Sequence, residues 1–192
     1  SQIHQEFVKY LEDNLKSIIC GKPNKLRKHI DEINSYSINF ILHRKSKNVS
    51  LEAKKQHENE FINKLRKIFD YDNKIDKPAF AKNVGLTCCP YCNREYIFRI
   101  YDKKNKEART LAVLDHYYDK GKYPYLALSF YNLIPSCNVC NSKFKTVIDF
   151  KVIPHLHPYE DSFNEKAMFS QFFNDVDSEN KKFSILSKER IS

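Results

Sequence analysis

Four cysteines in two tight pairs, Cys89/Cys92 and Cys137/Cys140, enclose the dipeptide Asp115-His116 and Asn132, and Asn141 follows directly behind the second pair. Two residues between cysteines let both thiolates of a tight turn point at one ion, and two such turns complete a tetrahedral shell for structural zinc. The stretch from Cys92 to Cys137 is longer than a compact zinc ribbon needs, so it must carry structure of its own. Its Asp115 and His116, with Asn141 just beyond, are the residue types that hold a hard cation and take a proton from water. The chemistry to which they point is metal-dependent hydrolysis of a phosphodiester. Bland readings stand beside this one: two disulfides or buried free thiols, a surface turn at Asp115-His116, an Asx-turn at Asn132 and a helix cap at Asn141. The N-terminal residues do not resemble a signal peptide and no apolar run has membrane-spanning length, so a cytoplasmic chain with reduced thiols and no membrane partner is expected. Cys88 adjoins the first pair, but the Cys89-Pro90-Tyr91-Cys92 frame has the turn chemistry. Cys20, among Ile18, Ile19 and Leu15, reads as a small buried hydrophobe.

The elements that must position these groups show as a change of period. Glu95 to Tyr101 and Arg109 to Leu114 are β-branched, aromatic and apolar, and the polar run Asp102 to Glu107 divides them, which predicts a hairpin with a long turn. The second strand leads straight into Asp115-His116, so both side chains would leave the sheet at a strand end, where the backbone is rigid. After a loop through Gly121 and Pro124 come Leu126, Leu128, Phe130 and Leu133. Asn138 to Phe144 lacks Pro and Gly and predicts a helix behind Cys137, bringing Asn141 to face Asp115. Upstream, Ile3, Phe7, Leu11, Leu15 and Ile18 recur at helical steps, as do Leu26, Ile30, Ile33, Phe40 and Ile41, and then Leu51, Phe61, Leu65, Ile68 and Phe69. Three amphipathic helices are therefore expected, with Asn24 and Ser50 at cap positions and a polar connector over residues 71–87. They would serve either as a packing layer for a small core or as a docking surface. The expected fold class is α+β, with a helical N-terminal region (1–80), a core (81–160) and a C-terminal extension (161–192). The apolar residues of 163–186 read as packing on the core or beginning a further subdomain.

Asp115-His116, Asn132-Leu133 and Cys137-Asn138-Val139-Cys140-Asn141, preceded by Cys89-x-x-Cys92, together resemble the HNH endonucleases of the ββα-metal class in their zinc-containing version. The resemblance covers residues 87–145, and its final Lys falls at Lys143 or Lys145, displaced from the family's spacing. It implies a ββα-metal nuclease core with structural zinc on Cys89, Cys92, Cys137 and Cys140. It further implies His116 as general base, Asp115 and Asn141 on Mg²⁺ or Mn²⁺, and Asn132 bracing the loop that carries the base. A neutral imidazole suits the base, and two oxygen ligands suit a cation that keeps waters and accepts phosphate oxygens. Cleavage would leave a 5′-phosphate and a 3′-hydroxyl. The layout is similar to the HNH subunits that act with an ATPase partner in Septu-type anti-phage systems, which implies bacterial defence and a possible ATPase partner. RNA or tRNA cleavage is one alternative; a non-catalytic zinc module binding nucleic acid or a protein is another.

Composition is compatible with a polyanion partner, and the resemblance implies that it is DNA. Lys and Arg number 33 against 24 Asp and Glu, for a net charge of +9. His43-Arg44-Lys45-Ser46-Lys47, Lys103-Lys104, Lys120, Lys122, Lys143 and Lys145 could form a phosphate track. Tyr117, Tyr118, Tyr123 and Tyr125 are candidates for base stacking, Tyr118 foremost. His155 and His157 lie in an extended proline-flanked segment, and His157 is the one expected to line the substrate groove or brace the metal shell. Basic excess indicates affinity for anions and carries no sequence choice.

Overall fold

A computed structural model describes residues 2–41, 49–97, 99–102, 107–145, 148–161, 167–169 and 185–187. They fall into two compact units, Ser1–His155 and Leu156–Ser192.

In the first unit three long helices lead: α1 (Gln2–Cys20), α2 (Pro23–Asn34) and α3 (Val49–Ile68). Phe7, Leu11 and Ile18 form the buried stripe of α1, and Leu26, Ile30 and Ile33 that of α2, the three- to four-residue recurrence that aligns side chains on one helix face. Ile3 and Leu15, expected on the same stripe, are about half exposed. Helix α2 starts at Pro23, whose missing N–H is harmless in a first turn, so the cap falls at Lys22 and Asn24 lies inside. Gly21 makes the tight passage between α1 and α2: its N–H bonds the Ser17 carbonyl at 2.9 Å, and a Cβ there would run into that same oxygen.

The expected polar connector is instead two short helices, α4 (Tyr71–Lys74) and α5 (Lys77–Val84). Asp70 and Asp76 cap them through Asn73 N–H and Ala79 N–H, and Gly85 closes α5 in the left-handed region at φ 75°. Capping by short polar side chains makes the segment look like a loop in composition while it folds as helix.

Strands β1 (Arg99–Asp102) and β2 (Glu107–Thr110) pair antiparallel, with Arg99 opposite Thr110. The predicted hairpin is thus present but shorter, and the residues that follow belong to a different sheet. β3 (Val113–His116) pairs with β4 (Leu133–Ser136), a strand not anticipated, with Asp115 opposite Ile134 and His116 opposite Leu133. Behind β4 the chain enters a short helical segment whose Cys140–Phe144 part is a π-turn. The architecture is α+β, with small two-stranded sheets and a four-cysteine cluster.

The helical layer packs on the loop between β3 and β4. Tyr125 and Leu126 of that loop are fully buried, Tyr125 against Phe40 and Phe7 at ring separations of 5.4 and 6.3 Å. The buried Ser129 hydroxyl donates to the Ile18 carbonyl of α1 at 2.6 Å. Among the described residues no helix is long and apolar enough to cross a membrane.

In the second unit β5 (Ala167–Phe169) pairs antiparallel with β6 (Ile185–Ser187). The remaining apolar positions of the 163–186 stretch lie outside the described residues, as do 43–47 and Lys103-Lys104 of the expected basic track.

Candidate functional site

The four thiols of Cys89, Cys92, Cys137 and Cys140 lie within 4.8 Å of one another. Each pair sits on a turn shaped by the backbone. The Asn93 N–H reaches the Cys89 carbonyl at 2.7 Å, with Asn93 in the left-handed region at φ 49°. In the second turn the Cys140 N–H points at the Cys137 sulfur (3.4 Å) and the Asn141 N–H at the Cys137 carbonyl (3.1 Å). Burial pushes the Cys89 and Cys140 thiols up; at Cys92 burial is outweighed by the backbone N–H groups of Glu95 and Arg94 together with the Cys140 and Cys89 thiols, and the value falls to about 7. Gathering four thiolates in a mostly buried space calls for a cation among them, which is how the donor set fits a metal ion. Cys88 stands outside the cluster, on a β-bridge to Tyr96. Cys20 is exposed near the end of α1, contrary to the buried position its neighbours imply, because the helix turns it off the stripe of Phe7, Leu11 and Ile18.

The cysteine cluster is tied to the β3 end through Tyr91. This residue lies between Cys89 and Cys92, packs against the buried cluster that includes Cys89, Cys137 and Cys140, and donates its hydroxyl to Asp115 Oδ2 at 2.6 Å. Lys145 Nζ meets the same oxygen at 2.6 Å and also donates to the His116 carbonyl. The side chains of Lys145 and Asp115 are only 11% and 5% exposed. Burial lowers the Lys145 ammonium's pKa, opposed by the Asp115 charge.

His116 Nε2 lies 3.1 Å from the Ala127 carbonyl. A carbonyl only accepts, so this contact keeps the proton on Nε2 and leaves a lone pair on Nδ1. Burial depresses the imidazole pKa to about 4; the Ala127 bond opposes the shift, and the Lys120 and Lys145 charges add to it. The ring is therefore neutral across the physiological range. Tyr71, from α4, meets it edge-on at 4.5 Å.

Asn132 is fully buried. Its amide oxygen accepts the Tyr118 N–H (2.7 Å), and its amide nitrogen donates to the Tyr118 and Leu126 carbonyls (3.1 and 3.0 Å). The side chain thus staples both ends of the loop that presents Ala127 to His116.

Asp115, His116, Asn141 and Lys145 line one groove of about 820 Å³, together with Lys77, Lys120 and Lys122. Of the other anticipated residues, Lys143 is exposed on the π-turn and does not line the groove. Tyr118 is 2% exposed, and Tyr117, Tyr123 and Tyr125 are buried too, so none offers a free face to a nucleotide base. Their rings build the loop's core instead. His157 belongs to the second unit, where its N–H bonds the Asp161 carboxylate at 2.8 Å. His155 stacks on Phe150 at 4.3 Å, and its carbonyl accepts from Tyr117.

Three contributors escaped the sequence reading: Tyr71, Lys77 and Tyr91. Tyr91 had a signal, its place inside a metal-binding turn. Tyr71 and Lys77 had none, since they reach the groove from α4 and α5, far along the chain from the motif.

Comparison with family models, with curated proteins and with solved structures finds no match to this chain.

Proposed function

We propose that this chain is a metal-dependent endonuclease of the HNH type, hydrolysing phosphodiester bonds of DNA. The observation that carries the reading is the convergence of Asp115, His116 and Asn141 on one lysine-lined groove, with Asp115 bonded to a tyrosine of the cysteine turn. Zinc is the ion proposed for the cluster, since four sulfur donors in two tight turns favour a closed tetrahedral structural site. The oxygens of Asp115 and Asn141 suit Mg²⁺ or Mn²⁺, which would supply charge stabilisation to the pentacoordinate phosphorus.

The chain's own residues divide the remaining work. His116 Nδ1 takes a proton from water as the water oxygen bonds to phosphorus; the bond to O3′ breaks, and the departing 3′-oxygen is protonated from solvent. Ala127 fixes the imidazole tautomer, and Asn132 fixes Ala127 by stapling the loop. Tyr91 holds the Asp115 carboxylate in place through a single hydrogen bond. Products would carry a 5′-phosphate and a 3′-hydroxyl. The similarity to HNH subunits of Septu-type systems suggests a cytoplasmic defence role beside an ATPase partner.

One observation favours a second reading. Lys145 already places a cation on Asp115, so a zinc-stapled module that binds nucleic acid without cutting it would also use this geometry. Plasmid nicking with added Mg²⁺ or Mn²⁺ separates the two. The intact chain is expected to nick and His116→Ala to lose at least about a hundredfold in rate. Cleavage that survives the substitution removes His116 from its role, and binding without cleavage selects the second reading. Parallel digests of duplex DNA, single strands and RNA identify the substrate.

A further inference from the structure

The lysines of the groove are not equivalent. Lys122 Nζ is paired with Asp149 Oδ2 at 3.0 Å and Lys145 Nζ with Asp115 Oδ2 at 2.6 Å, so both charges are spent on internal partners. The Asp119 carboxylate is occupied by the N–H groups of Gly121 and Lys122, at 2.8 and 3.0 Å. Lys77 and Lys120 are arranged differently. Both ammonium groups stand over the Tyr71 ring, 4.7 and 4.9 Å from its centroid, and both reach one exposed carboxylate, that of Asp72, at a looser 3.5 Å. Their side chains are 42% and 46% exposed, open to a ligand in a way that Lys145 is not. Two cations thus share one loosely held, solvated carboxylate, which a stronger anion can displace. The same Tyr71 ring that gathers them lies edge-on to His116 at 4.5 Å, which sets their distance from the imidazole.

We propose that Tyr71, Lys77 and Lys120 form a phosphate subsite that grips the nucleic-acid backbone next to the bond facing His116. Its placement beside a bond to be cut rests on the nuclease reading, while the subsite itself is a binding device. Tyr71 is its positioning residue, holding two long flexible side chains over one aromatic face so that less rotamer freedom is lost on binding. A backbone phosphate takes the place of Asp72 as the shared anion, bringing no change in ion count at the protein and releasing counterions from the DNA. The subsite comes from α4, α5 and the loop after β3, so the helical segment before the cysteine turns takes part in substrate binding.

Fluorescence anisotropy of a labelled DNA duplex tests this, titrated at several KCl concentrations with no divalent cation added, so that binding is read apart from cleavage. Lys77→Gln and Lys120→Gln are each expected to weaken binding about three- to tenfold at low salt, and the double variant to flatten the dependence of log Kd on log[KCl] by about 0.9, the value for one shared phosphate. Tyr71→Leu is expected to weaken binding with both lysines still present, and Tyr71→Phe, which keeps the ring, to bind more tightly than Tyr71→Leu. Lys143→Gln, outside the groove, serves as the reference, with far-ultraviolet circular dichroism confirming that each variant is folded. A double lysine variant with the salt slope of the Lys143 variant would overturn the subsite while leaving the nuclease reading intact. Failure of the unaltered chain to bind the duplex at any salt would remove both.

Discussion

His116 illustrates how one side chain's setting fixes both its chemistry and a measurable liability. Its pKa of about 4 lies below the 6.5 of an unfolded histidine, so the unfolded chain binds more protons between these values. The neutral buried ring therefore contributes stability that is fully present above about 6.5 and is lost as pH falls through about 4. Urea unfolding midpoints should decline over this window, and His116→Phe should flatten the decline; equal pH profiles for the two proteins would contradict the buried neutral imidazole. Asn132→Ala removes three buried bonds and leaves the Tyr118 and Leu126 backbone groups without them, so a loss of about 2–4 kcal/mol in unfolding free energy is expected. Tyr91→Phe keeps the packing and deletes only the bond to Asp115. The four thiols should still bind metal with unchanged stoichiometry, while the Mn²⁺ dependence of nicking shifts to higher concentration.

Elements decided the rest of the groove. The β-branched and aromatic content of 95–101 and 109–114 marks strand-forming chain, but propensity does not name a partner, and β3 takes its hydrogen bonds from β4 across a long loop rather than from the nearer strand. β4 itself is only Leu133–Ser136 with Pro135 inside, too short and too interrupted to register as alternation. The three long helices were legible because their apolar stripes recur over many turns. Helices α4 and α5 were not, since four and eight residues give periodicity too little length and their caps are the same Asp residues that mark loops. Gly85 ends α5 at φ 75° with open space where a Cβ would go, so Gly85→Ala should cost about 1 kcal/mol through backbone strain alone. Asp76→Ala, removing the cap on Ala79, should cost about as much again. Chemical denaturation of each variant reads both values.

At the scale of the whole chain the groove draws Tyr71 and Lys77 from α4 and α5 and Asn141 and Lys145 from the segment behind Cys140. Chelation strong enough to strip the cluster should release bound zinc, expose four reactive thiols, lower the thermal midpoint and abolish nicking even with Mg²⁺ in excess. A protein that gives up no zinc to the chelator and keeps its thermal midpoint and nicking unchanged would show that the cluster is not a metal site. The residues carrying the candidate chemistry, and the four-thiol set, could be read from the chain alone, because ligand spacing within a tight turn is a local property that backbone geometry enforces. What could not be read was which distant side chains would share their space. Tyr91 on Asp115, Lys145 on the same carboxylate, Tyr71 against His116 and the burial of Tyr118 all depend on contacts between segments far apart in sequence. Such contacts are set by how apolar surfaces fit together, and local pattern holds no record of that fit.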